Sequence, residues 1–278
     1  MKSALITGIS SGIGFHLSQK LAGQGFAVHG VVRNLSKLKE SLEQSKTELH
    51  KNIFCIEADI NDTEKLHTTL QQMDTPDIII NNAGYGLYGA FEELTEDQLR
   101  AQFDTNFFSP LRLIRYFLPA MRQRQSGRII TISSILGQLV IPTGSAYCSS
   151  KWAIEAASEA IRYEVAPFGI QVCLVEPGLI RTQFKDNMKL AASIDAEKSP
   201  YRFLNQLIQA EIKKYGRFAT SPEAASESIL RLLQKRDLPA RHTIGADAVI
   251  YSAMKKIIPS SLLDMVQRAY TENLHSRN

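Results

Sequence analysis

Residues 3–14 read SALITGISSGIG: a short apolar and β-branched run, glycines at 8, 12 and 14, and the start of a helical pattern. A strand that turns through glycines straight into a helix is the opening unit of a parallel α/β layer structure. Glycine lets the backbone bend sharply there and approach a charged ligand, and the free N–H groups of the first helical turn then suit a pyrophosphate. The spacing is G-x-x-x-G-x-G, which differs from the common G-x-G-x-x-G dinucleotide fingerprint. Gly8, Ser10, Ser11, Gly12, Ile13 and Gly14 are the first candidate cofactor contacts.

Outward from this turn, short apolar runs alternate with longer helical patterns. Strands are predicted at Ser3–Thr7, Ala27–Val32, Ile53–Glu57, Asp77–Asn81, Arg128–Ser133, Gln171–Glu176 and Thr243–Ile244. Helices are predicted at Gly12–Gly25, Ser36–Leu49, Asp62–Met73, Asp97–Arg124, Ser145–Phe168 and Pro222–Lys235. Seven strands with right-handed helical crossovers predict an α/β fold, a doubly wound parallel sheet with helices on both faces and a ligand crevice at the carboxyl ends of its strands. Residues 1–245 make this single domain, 183–217 break its rhythm as an inserted substrate loop, and 246–278 follow as a C-terminal helical extension.

The chain has 278 residues, 44% hydrophobic and 22% charged, as an ordinary globular protein does. Its net charge of +4 is scattered, with no basic run of the kind that binds nucleic acid. Cys55, Cys148 and Cys173 form no C-x-x-C pair, so neither a metal site nor a disulfide framework is expected, and a reduced cytoplasmic setting fits. The first apolar run is too short for a signal peptide, and no stretch reaches the roughly 18 apolar residues of a membrane span. Peripheral membrane contact through the extension stays open.

The second strand ends in Val31-Val32-Arg33-Asn34. An NAD site usually places Asp or Glu here for the ribose hydroxyls, whereas a guanidinium pairs with a 2′-phosphate. Arg33, with the Ser11 hydroxyl, therefore points to NADP(H) over NAD(H). The same glycine turn also matches G-x-S-x-G, the elbow that presents a serine nucleophile. That reading makes Ser10 the nucleophile of a hydrolase, with Asp237 and His242 following in the required order. Only seven residues precede Gly8, leaving no earlier strand to build the oxyanion hole.

Residues 128–151 read RIITISSILGQLVIPTGSAYCSSK. Tyr147 and Lys151 are four apart, so on a helix they share a face. A neighbouring cation favours the phenolate and brings a phenol, ordinarily near pKa 10, toward the working range of an acid or base. Ser134, thirteen residues upstream, can donate to a substrate oxygen. Tyr251 and Lys255 repeat the spacing without a glycine turn, a serine or a following Pro-Gly, so the conjunction carries the weight and not the pair.

Together these pieces resemble the classical short-chain dehydrogenases/reductases, from Met1 to about residue 245. The matching elements are TGISSGIG at 7–14, Asp59, NNAG at 81–84, Asn106, Ser134, YCSSK at 147–151 and PGLIRT at 177–182. The run around YCSSK looks most like the 17β-hydroxysteroid and retinol dehydrogenase branch. The resemblance implies a Rossmann-like fold and an interconversion of carbonyl and alcohol, with Tyr147 as proton donor or acceptor and Ser134 beside it on the substrate. It further implies that Lys151 holds the nicotinamide ribose and that Asn106 anchors a water on the proton path. Asp59 and Ile60 would address the adenine, Asn82, Ala83 and Gly84 the ribose, and Pro177, Gly178, Ile180 and Thr182 the nicotinamide.

Leu139 to Ile141, Tyr85 to Tyr88 and the apolar residues of the insertion, Phe184, Met188, Leu190, Ile194, Tyr201, Phe203, Leu204, Leu207 and Ile208, could wall a pocket for a lipophilic steroid-, retinoid- or fatty-type substrate. The extension, broken at Pro259, could cover the substrate mouth. Apolar residues on several faces of the helices near 107–121 and 152–165 suggest a homodimer. A non-catalytic nucleotide sensor of the same fold is the competing reading.

Overall fold

The computed structural model describes residues 1–181, 188–191, 199–204 and 219–276. In chain order its strands are β1 (Ser3–Thr7), β2 (Ala27–Val32), β3 (Ile53–Glu57), β4 (Ile78–Asn81), β5 (Leu87–Tyr88), β6 (Gly127–Ile132), β7 (Ile170–Pro177), β8 (Lys189–Leu190) and β9 (Arg241–Ile244). Its principal helices are α1 (Gly12–Gly23), α2 (Leu35–Ser45), α3 (Thr63–Leu70), α4 (Glu96–Phe103), α5 (Ser109–Gln123), α6 (Ser145–Val165), α7 (Pro222–Leu233), α8 (Ala246–Ile257) and α9 (Ser260–Ser276).

Seven strands pair in parallel in the order β3-β2-β1-β4-β6-β7-β9. The order reverses between β1 and β4, whose registers are locked by Ala4 opposite Ile78 and Ile6 opposite Ile80. A crevice opens at the carboxyl ends of the strands at such a switch point. The period of two divides each strand between two cores. Ala4, Ile6, Ile78 and Ile80 pack on one face with Leu17 and Leu21 of α1 and Ile229 of α7. Leu5 and Ile79 pack on the other with Leu66 of α3, Leu113 and Phe117 of α5, and Val165 of α6. The expected doubly wound, Rossmann-like sheet is the one observed.

Three local features differ from the sequence reading. The helix predicted over 97–124 is interrupted at Asp104–Phe108 by a π-helical turn between α4 and α5. The helix predicted to reach Leu49 stops at Ser45, where Lys46 takes a left-handed conformation with φ 51°. A second small sheet, β5 paired in parallel with β8, has strands of two residues each. The extension forms α8 and α9, parted where Ile258 is extended ahead of Pro259, as the residue before a proline prefers.

Candidate active site

The turn after β1 is shaped by contacts that admit no side chain. Gly8 has φ +73°, and a Cβ there would lie 2.9 Å from the Ala83 Cα. At Gly14 a Cβ would meet the Asn82 Nδ2 and the Gly8 carbonyl oxygen, both at 2.4 Å. Asn82 locks the turn to the end of β4: its Nδ2 donates to the carbonyls of Thr7 at 2.9 Å and Gly8 at 3.0 Å. The Thr7 Oγ1 accepts the N–H groups of Asn82 and Ala83, each at 3.0 Å. Ser11 sits at the N-cap of α1 with no side-chain capping bond, and no acid occupies the first turn. The helix end is therefore open to an anion. The residues present fit a dinucleotide pyrophosphate.

Gly8, Ser10, Ser11, Gly12 and Ile13 line a cleft of about 1840 Å³, and so do Arg33, Asp59, Ile60, Asn82, Ala83 and Gly84. Lys37, on the first turn of α2, lines it beside Arg33. Sequence reading passed Lys37 over because no motif marks it, although it placed the start of α2 within one residue; Asn34 caps the helix through the Ser36 N–H at 2.7 Å. Asp59 closes an Asx turn with the Asn61 N–H at 2.9 Å, and the Asn61 side chain bonds Thr105.

At the other end of the cleft lie Ser134, Tyr147, Lys151, Pro177, Gly178 and Ile180. Tyr147 and Lys151 share the inner face of α6 and both are buried. The Lys151 Nζ lies 5.8 Å from the Tyr147 ring centroid and donates to the Ile132 carbonyl at 2.8 Å, which aims it from the end of β6. Burial pushes the Lys151 ammonium down to about 8, with Glu155 one turn on opposing the fall. Ser134 caps a short 3₁₀ turn by accepting the Leu136 N–H at 3.1 Å, so its own proton is left for another acceptor. Tyr88 of β5 sets its ring 5.6 Å from that of Tyr147. Sequence reading placed Tyr85 to Tyr88 on a pocket wall, and Tyr85 and Tyr88 do line the cleft; the ring contact with Tyr147 is what it did not foresee.

Asn106 lies in the π turn and is buried. Its Oδ1 accepts the Tyr85 N–H at 3.2 Å, while its Nδ2 donates to the Tyr85 carbonyl at 3.0 Å and the Ser150 Oγ at 3.2 Å. A Cβ on Gly84 would come within 3.1 Å of the Asn106 Oδ1 and 3.9 Å of the Lys151 Nζ, so these groups gather around one point. Thr182 lies outside the described residues, as do Phe184, Ile194, Leu207 and Ile208.

Behind Lys151 the Arg241 guanidinium meets three carboxylates: Glu155 at 3.0 Å, Glu176 at 3.1 Å and Glu159 at 2.7 Å. Burial holds the Glu155 carboxyl well above the usual carboxylate range, with Arg241 opposing the rise. The outer wall of the cleft has an apolar part, Leu139, Val140, Ile141 and Met188 with Tyr251, Met254 and Leu263 from the extension, and the extension adds the polar Asp264 and Gln267. Tyr251 and Lys255, the second pair at the same spacing, thus line the same cleft, yet Lys255 is engaged elsewhere. Its Nζ donates to the Gln138 carbonyl at 2.5 Å and lies 4.5 Å from the Trp152 ring centroid. His242 bonds Ser228 at 2.8 Å, and no histidine lines the cleft among the described residues, so Ser10 has no base beside it.

The profile of the short chain dehydrogenase family matches residues 2–192. The chain is 33% identical to a 3-ketodihydrosphingosine reductase of Bacteroides thetaiotaomicron, over 96% of each chain. It is 30% identical to retinol dehydrogenase 8 of Bos taurus, over 94% of this chain and 87% of that one. A short-chain dehydrogenase from Streptomyces avermitilis has a similar structure, with a TM-score of 0.78, 32% identity, and coverage of 98% of this chain and 95% of that one.

Proposed function

Because the chain belongs to the short chain dehydrogenase family, we propose that it interconverts a ketone or aldehyde and an alcohol with NADP(H), Tyr147 passing the proton at the substrate oxygen. The observation that carries this reading is one cleft with the glycine cradle at one end and Ser134, Tyr147 and Lys151 together at the other. Bound NADPH would supply a hydride for the carbonyl carbon. Gly8 and Gly12 line the cleft at the start of α1, where a pyrophosphate would sit, and Arg33, with Lys37 beside it on the cleft wall, offers a cation to a 2′-phosphate.

On the protein's side, Ser134 donates to the substrate oxygen and stabilises the charge that develops there. Tyr147 donates its proton to the same oxygen, and the buried Lys151 cation favours the phenolate left behind. Asn106 shapes the path by which that proton is replaced, through its hold on Tyr85 and Ser150. The reverse sequence oxidises an alcohol.

The apolar part of the outer wall supports a lipophilic substrate, and the extension that supplies part of it covers the substrate mouth. The exposed Phe108 and Tyr163 near α5 and α6 support a homodimer, which light scattering on the full chain tests directly. Three buried or half-buried cysteines without a disulfide support a cytoplasmic setting. Among the described residues no helix is long and apolar enough to cross a membrane.

The test is a panel of steroid, retinoid and long-chain carbonyls with NADPH, run on the wild type and Tyr147→Phe. The expected result is turnover by the wild type only, with NADPH binding, followed by its fluorescence, retained in both. Binding without turnover of any carbonyl would favour the sensor, and fluorophosphonate labelling of Ser10 without NADPH binding would favour the hydrolase.

A further inference from the structure

Among the described residues, a side chain of the C-terminal extension ties down the loop that leaves β7, Pro177 to Ile180. The Leu179 N–H donates to the Asp247 Oδ2 at 2.7 Å. The contact is intimate: a Cβ on Gly178 would lie 2.2 Å from that oxygen, 2.4 Å from the Asp247 Oδ1 and 2.5 Å from its Cγ. Gly245, with φ +103°, brings the chain around so that Asp247 reaches back, and a Cβ at 245 would also strike its Oδ1 at 2.5 Å. The other hydrogen bonds of this loop among the described residues are backbone bonds. Gly178 N–H goes to the Ile244 carbonyl, Thr220 N–H to the Leu179 carbonyl and Arg181 N–H to the Thr220 carbonyl, at 2.8 to 2.9 Å. None of these four bonds uses the N–H or carbonyl of Ile180, whose side chain is buried and which lines the cleft. Lys255, farther along α8, fixes the same helix to the loop after Ser134 through the Gln138 carbonyl.

We propose that Asp247 is a positioning residue for the nicotinamide end of the cofactor site: by holding the Leu179 N–H it sets the Pro177–Ile180 loop so that the Ile180 backbone stays available to the cofactor. This rests on the oxidoreductase reading above. It makes the extension part of the cofactor site and gives Gly178 a reason beyond turn geometry, since any side chain there displaces the carboxylate. An acid in the first turn of α8 also stabilises that helix through its dipole, a purely structural role that depends on charge and not on the bond to Leu179.

NADPH affinity, read by fluorescence titration on the full chain, separates the two roles. Asp247→Ala should weaken NADPH binding about tenfold, the lower end for a lost hydrogen bond to a charged acceptor. Asp247→Asn keeps an acceptor and loses the charge, so its affinity should stay within about threefold of the wild type. Gly178→Ala should weaken binding as Asp247→Ala does, and the double variant should be no weaker than Asp247→Ala, because the atoms that the new methyl strikes are then gone. In turnover the Asp247→Ala effect should fall on KM for NADPH, with kcat within about threefold.

Asp247→Ala within twofold of the wild type, Asp247→Asn as weak as Asp247→Ala, or a double variant showing the sum of both losses would each overturn the proposal. Should Asp247→Ala fail to fold, Gly178→Ala and Asp247→Asn decide alone, the first expected weak and the second near the wild type. If the wild type bound no NADPH, or Tyr147→Phe kept its turnover, the oxidoreductase reading would fail first. Loss of turnover in Tyr147→Phe with unchanged affinity in Asp247→Ala would sink this proposal by itself.

Discussion

Replacing Lys151 by methionine should silence the protein and stabilise it. Burial takes the Lys151 ammonium from its ordinary 10.5 down to about 8. At about 1.4 kcal/mol per pH unit, that difference means the folded wild type at pH 7 carries a charge costing about 3 kcal/mol. Methionine has similar length and no charge, but it orphans the Ile132 carbonyl that accepts from the Nζ, a loss of about 1 kcal/mol. The variant should therefore be more stable at pH 7 by about 2 kcal/mol. The folded pKa lies below the unfolded one, so the unfolded chain binds more protons between pH 8 and 10.5, and wild-type stability recovers as pH rises through that window. The advantage should shrink to about zero near pH 10. Urea denaturation of both proteins at pH 7 and pH 10 measures it. A variant no more stable than the wild type at pH 7, with a difference that does not move with pH, would refute the idea that this ammonium is held at a cost.

Ser134→Ala should lower kcat by about a hundredfold or more, as loss of an oxyanion donor does elsewhere, while a fluorescence titration finds NADPH affinity unchanged. Arg33→Ala should weaken NADPH about tenfold or more and leave NADH nearly unaffected, which paired titrations would show as a change in the NADPH to NADH preference. Gly14→Ala puts a methyl where the Gly8 carbonyl lies 2.4 Å away, and backbone cannot yield cheaply, so both thermal stability and NADPH affinity should drop. Equal Kd values for Gly14→Ala and the wild type would show that the cradle can open without penalty.

The sheet was legible because most strands are compact apolar runs: β1, β2 and β3 begin and end where the sequence places them, whereas in β9 the polar Arg241 and His242 hid its first half. Tyr147, Lys151 and Ser134 were legible as a set because spacing along one helix and one loop already limits where they can go. What escaped the sequence depends on partners distant in the chain. The π turn at 104–108 is fixed by Asn106 bonding the backbone of Tyr85, whereas the local residues read as ordinary helix. Lys37 and Asp247 carry no motif, and each reaches the cleft only through tertiary placement. Tyr251 and Lys255 show the reverse: a motif read as a decoy turns out to wall the same cleft, with Lys255 used for packing against Trp152.

The wide turn around Asn106 carries a liability in chain length. One residue more than an α-helix would use there rotates everything after it by about a hundred degrees. Leu113, Ile114, Phe117 and Met121 pack into the core in the register that follows that rotation. A one-residue deletion within 104–108 would straighten the rod and present the core with a different stripe of side chains, or else pull Asn106 off the Tyr85 backbone. Away from Asn106 itself, point substitutions are tolerable along this stretch in a way that insertions and deletions are not.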